Sequence, residues 1–217
     1  MPTEVVPRVL KRPRLVRGVA RAIADAAEGA FEACRHRATD EPAITGEIVG
    51  AIRERVRGMR HRDVKWDAHI LRGKAGEELR HGADLLAVLD IDVDGYRTSK
   101  GFLAQAKKAE PEAPLSAREW KRLRQQCGEM LKRTPASFVL VYSKKRGVRV
   151  FPAISILRSP TQDVFDLYDR SVADFFEAHI ECFIGDRRLD VAQIKTLDAL
   201  AGLPVNHVLH LVARSRQ

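Results

Sequence analysis

Three side chains suited to phosphate chemistry stand at the ends of two apolar runs in HGADLLAVLDIDVDGYRTSKGFLAQAKKAE, residues 81–110: Asp84, Gln105 and Lys107. Carboxylate and amide oxygens are the ligand type that Mg²⁺ prefers, with several waters retained. An ammonium beside such a metal can orient or help deprotonate an attacking water and offset negative charge in a pentavalent transition state. That chemistry requires the three to share a face. The dipeptide Asp94-Gly95 between the runs is a hairpin signal, because a type I′ turn needs positive φ at both central positions. If Val93 pairs with Tyr96, Asp84 falls opposite Gln105. A loop two residues longer sets Asp84 opposite Lys107 instead. Either register leaves all three on one face at one end of the hairpin, with Leu103 deeper on the same face.

The elements around this hairpin follow from periodicity and caps. Val16, Val19, Ile23, Ala27, Phe31 and Cys34 recur at helical spacing and predict an amphipathic helix over 14–36, after a short basic arm. A second helix is expected over 43–59, with Ile48, Ile52, Val56 and Met59 buried and Asp40 or Thr45 as its cap. Residues 65–72 read as a strand, and GKAGEELRHG as a turn carrying Glu77 and Glu78. After the hairpin, Ser116 and Glu119 form a capping box ahead of the stripe Trp120, Leu123, Cys127, Met130. ASFVLVYS and GVRVFPAISI read as strands joined by the turn KKRG. Ser171 and Asp174 open another helix, DVAQIKTLDALAGLP closes a further one, and NHVLHLVAR is a final strand. No internal repeat or long linker divides the chain. The expected organisation is a basic arm and helix over 1–40 and an α/β domain over 41–217, one globular unit.

Composition narrows the function. The 217 residues are 45% apolar, enough for a core, and 38 Lys and Arg against 29 Asp and Glu leave a net charge of +9. That excess raises the expectation of a polyanionic partner such as nucleic acid. Cys34, Cys127 and Cys182 are widely spaced, without CxxC spacing, and each falls in an apolar stripe, so buried thiols in a reducing cytoplasm are expected and a zinc site is not. The N-terminal stretch lacks an uninterrupted apolar core and no window approaches 18 apolar residues, so no membrane partner is expected. Phosphate-loop, nucleophile-elbow and dinucleotide fingerprints are absent. His207 and His210, three apart in a strand, point to opposite faces and do not chelate one metal.

With GAD at 82–84 and QAK at 105–107, and the order helix, strand, strand, strand, helix, strand over roughly 43–153, the chain resembles the PD-(D/E)XK nuclease superfamily in the QxK variant of Mrr-like endonucleases. The resemblance implies a restriction-endonuclease-like mixed sheet flanked by helices, here with extra N-terminal and C-terminal helices. It also implies metal-dependent hydrolysis of DNA phosphodiesters, with Mg²⁺ or Mn²⁺ as cofactor and a role in prokaryotic defence against foreign DNA. On this reading Asp84 is the metal-binding acid, Gln105 the second metal-side position and Lys107 the catalytic lysine. Glu47 is the acid of the preceding helix, with Glu78 as its rival. The proline that precedes the family's aspartate is absent, and Gln105 stands where a second acid is usual, which lowers the negative charge offered to a metal.

The basic residues Arg12 and Arg14 of the arm, Lys108, and Lys144, Lys145 and Arg146 of the turn are the expected phosphate-backbone contacts. Gln126, beside the apolar stripe of its helix, is expected to be solvated. The structural alternative for the three central residues is a solvated strand face with an ordinary Asp-Lys pair. The functional alternative is a protein that keeps the nuclease fold but binds nucleic acid or assembles with a partner, as a homo-oligomer or with another protein, without cutting.

Overall fold

The structure, a computed structural model, describes residues 13–37, 40–61, 63–72, 83–93, 96–190 and 205–215. Helix α1 (Pro13–Cys34) buries Val16, Val19, Ile23, Ala27 and Phe31, the stripe that its spacing requires. Helix α2 (Glu41–Val56) begins two residues earlier than its apolar pattern suggests, because the Asp40 carboxylate accepts the Ala43 N–H at 2.8 Å and so caps the first turn. Glu41 thereby becomes a first-turn residue.

Strands β1 (Arg60–His61), β2 (Val64–Arg72), β3 (Leu85–Val93) and β4 (Tyr96–Lys108) follow, then helix α3 (Ala117–Arg133). The α3 capping box is present in both directions, Ser116 with Glu119. Strands β5 (Ser137–Ser143) and β6 (Gly147–Pro152) form the next hairpin. The expected strand continuation through AISI is replaced by helix α4 (Ala153–Arg158), because Ala153 and Ile156, three apart, are buried together in the core that α3 builds. A 3₁₀ turn (Val164–Asp166), strand β7 (Arg170–Ser171), helix α5 (Val172–Ile180) and strand β8 (His207–Ser215) complete the described elements. The expected helix in DVAQIKTLDALAGLP lies outside the described residues except at its first residue, as do Glu77, Glu78 and the Asp94-Gly95 turn.

One eight-stranded mixed sheet has the order β1-β2-β8-β3-β4-β5-β6-β7. The chain's last strand enters the middle, antiparallel to β2 and parallel to β3, while β4 and β5 are parallel across α3. Val93 pairs with Tyr96 and Leu85 with Ala104, the register of a two-residue loop. Alternation then sorts the strands into two cores. Leu85, Ala87, Leu89, Phe102, Ala104 and Ala106 face α1, α2 and α5, whereas Leu86, Val88, Leu103, Val139 and Val141 face α3 and α4. Cys34 and Cys127 are buried as expected, but Cys182 is exposed: α5 ends at Ile180, and the chain turns out of the helical stripe with Cys182 at φ 70°. Among the described residues no helix is long and apolar enough to cross a membrane.

Candidate active site

The sheet interior positions Asp84. Its N–H donates to the Ala104 carbonyl at 2.9 Å and its carbonyl accepts the His207 N–H at 3.0 Å, so β4 and β8 clamp its backbone from both sides. Because residues alternate, Asp84 and Gln105 both project toward α3, and the register sets them side by side. Gln105 Nε2 donates to Asp84 Oδ2, and the Ala106 N–H donates to the same oxygen at 2.8 Å. The other oxygen, Oδ1, accepts from Asn206 Nδ2 at 3.2 Å. Both Asp84 and Gln105 are only 4% exposed. Three N–H donors thus meet the two oxygens of this buried side chain, as a buried polar group requires.

Lys107 continues the same face toward the end of β4. Its Nζ lies 3.7 Å from Glu41 Oε1, which also accepts the Lys108 N–H at 3.4 Å. On the other side of the sheet's end stands Glu119. Hydrogen bonds from Ser116 chiefly hold its pKa below the usual carboxylate value, and the charge of Lys107 adds to that lowering. The ammonium therefore sits between acids from helices on opposite faces of the sheet. Beneath Glu41, Thr45 Oγ1 and the Tyr142 hydroxyl are 2.8 Å apart. Burial raises the Tyr142 pKa, opposed by the Thr45 bond and reinforced by the charges of Asp84 and Glu41, so the phenol stays neutral.

The helix acid brought to Lys107 is Glu41, whereas Glu47 is exposed and its charge bears on Cys34. Six residues apart on one helix, the two project about 120° from each other, so one helix face cannot present both. Glu78 lies outside the described residues. Glu41 precedes the apolar stripe of its helix, so the Asp40 cap is its only local signal in the sequence. Asn206 has no local signal at all, since nothing near it in sequence indicates that β8 runs beside β3. Gln126 is buried rather than solvated, and its Oε1 meets no donor among the described residues.

The expected cationic footprint is divided. Arg12 lies outside the described residues, and Arg14 is in the first turn of α1. The opposite end of that helix is about 30 Å away, and there Arg35 donates to the Lys144 carbonyl at 3.2 Å. Arg14 and the Lys144 turn therefore do not form one patch around the site. Lys145 pairs with Glu112, and Arg146 stacks 5.4 Å over the Phe165 ring, while Lys108 and Lys144 are exposed next to the Glu41 corner.

The donor set suits a hard cation. Asp84 offers a carboxylate, and among the described residues the side-chain hydrogen bonds of Gln105 run from Nε2, which leaves Oε1 to donate a lone pair. Among the described residues no group of three His, Cys, Asp or Glu side chains gathers as a metal cluster, so a cation here would depend on water and substrate oxygens for the rest of its shell. No protein-family model, curated protein or solved structure matches the chain. The functional reading therefore rests on this geometry.

Proposed function

We propose that the protein is a Mg²⁺-dependent endodeoxyribonuclease with a restriction-endonuclease-like core. The observation that carries the reading is the pairing of Asp84 with Gln105 across β3 and β4, with Lys107 two residues further on the same face. The order α2-β2-β3-β4-α3-β5 supports it, as does the net positive charge. Asp84 and the Gln105 Oε1 are the residues that would hold the metal, and a metal held there would supply an acidified water and neutralise charge on the phosphate. Lys107, steadied by Glu41, would orient an attacking water and oppose the negative charge that grows as the water oxygen bonds to phosphorus and the bond to the leaving oxygen breaks. Asn206 and the Ala106 N–H fix the Asp84 carboxylate rotamer.

Supercoiled plasmid should be nicked with Mg²⁺ or Mn²⁺ and left intact in EDTA. Lys107→Ala should abolish nicking while DNA affinity stays near that of the wild type, since this ammonium is largely buried and already paired with Glu41. Cleavage that persists in EDTA, or wild-type cutting by Lys107→Ala, removes the mechanism. A second reading, a protein that binds nucleic acid or assembles without cutting, is favoured by the neutral amide of Gln105 in the metal-side position. DNA binding with no cleavage under any divalent cation would select it.

A further inference from the structure

Beside the Lys107–Glu41 corner, on the α1 and α2 side of the sheet, lies a cleft of about 330 Å³. Its floor is apolar: Phe31 and Tyr142 stack with centroids 5.7 Å apart, and Ile44 lines it from α2. Its rim is cationic, with Lys108 from the end of β4, Lys144 from the β5–β6 turn, and Arg35 from the end of α1, which also pairs with Glu32 at 2.6 Å on the same helix. The one acid in the lining, Glu110, is committed to the turn, accepting the Ser143 hydroxyl at 2.8 Å and the Lys144 N–H at 2.6 Å. Lys108 is the residue after Lys107, and the Lys108 N–H and the Lys107 ammonium address the same Glu41 oxygen. The cleft and the candidate site thus share a wall.

An aromatic, apolar floor under a rim of three cations matches the two halves of a nucleotide, a flat base and a phosphate. We propose that this cleft is the subsite for the nucleotide flanking the scissile phosphate, an inference that rests on the nuclease reading. Its phosphate lies against Arg35, Lys108 and Lys144, and its base lies on the Phe31 and Ile44 floor. A base in a duplex must leave the stack to enter, so the cleft selects DNA in which that nucleotide is unpaired.

The test is the affinity of the full-length protein for a labelled single-stranded oligonucleotide, measured by fluorescence anisotropy in EDTA so that no cutting occurs. Lys108→Glu and Lys144→Glu reverse exposed rim charges. Ala113→Trp, also at an exposed lining position, fills the cleft without changing charge. Arg97→Glu is the control, on the same strand as Lys108 but about 36 Å away. Each of the three cleft variants should weaken binding by about tenfold, and Arg97→Glu should stay within about twofold of wild type. Wild-type affinity in Ala113→Trp would overturn the inference even if both rim variants weaken, because a diffuse phosphate surface is indifferent to the filled cleft. Loss equal to that of Arg97→Glu, or no binding by wild type, would overturn it as well. The nuclease reading fails separately, through absent Mg²⁺-dependent nicking, since these measurements contain no metal.

Discussion

Replacing Asp84 by Asn separates a catalytic carboxylate from a structural one, because the structure sets the stability and activity effects far apart. The carboxylate accepts from Gln105 Nε2, the Ala106 N–H and Asn206 Nδ2. Charge-assisted bonds are about twice as strong as neutral ones, so neutralising the acceptor forfeits roughly 1 kcal/mol in each, or about 3 kcal/mol gross. Against this, a carboxylate only 4% exposed has a desolvation cost that Asn largely escapes. Asn206 can also turn its amide to face the new amide with oxygen. The net change in stability should lie within about 2 kcal/mol, a shift in Tm of no more than about 8 °C for a chain of this size. Removing the one central negative charge from the proposed metal site should instead lower nicking by at least about 10³, some 4 kcal/mol of transition-state stabilisation. Asp84→Ala should be the less stable of the two variants, since it removes the acceptor from the buried Ala106 N–H and from the Gln105 and half-buried Asn206 amides. The assay is plasmid nicking over a Mg²⁺ and Mn²⁺ titration, well below each variant's melting temperature. Cutting by Asp84→Asn within about tenfold of wild type would refute the assignment, since it would put the carboxylate's whole contribution to the barrier below 1.4 kcal/mol.

Gln105→Glu, nearly isosteric, should preserve cleavage and lower the Mg²⁺ concentration needed for it, because a second carboxylate adds charge; a total loss of cutting would show that the amide N–H to Asp84 matters more. Glu41→Gln should reduce nicking more than Glu47→Gln, given that Glu41 alone of the two reaches Lys107, and equal effects would remove Glu41 from the site. Gly101→Ala should destabilise by about 2 kcal/mol in a thermal melt, since a Cβ there would lie 2.8 Å from the backbone oxygens of both Ala87 and Leu189; an unchanged Tm would refute that packing. His179 is fully buried, and burial, with the nearby Lys100 charge, lowers its pKa from 6.5 to about 3. The unfolded chain therefore binds the extra proton between those values. Stability should fall as pH drops below about 6.5, by about 2 kcal/mol at pH 5, and His179→Gln should flatten that slope in melts from pH 7 to pH 5. An unaltered slope would assign it elsewhere.

Local chemistry determined much of this protein from its sequence. Asp94-Gly95 implies a two-residue loop, a two-residue loop sets the register, and a period of two then places Asp84, Gln105 and Lys107 on one face whatever packs around them. Ser116 with Glu119, and Ser171 with Asp174, mark helix starts by hydrogen bonds that span three residues, so no distant part of the chain is needed to read them. Tertiary structure alone decided what meets across long separations. Asn206 reaches Asp84 because β8 enters the sheet between β2 and β3, and no spacing within residues 205–215 encodes which strands will flank it. Arg35 joins Lys144, and Glu41 rather than Glu47 faces Lys107, because packing sets the position and rotation of α1 and α2 against the sheet. An apolar stripe states that a helix has a buried side, but the turn of that side toward a partner fixes which polar residues at its margin enter a site. That rotation is settled by the partner's surface, and the partner is distant in sequence.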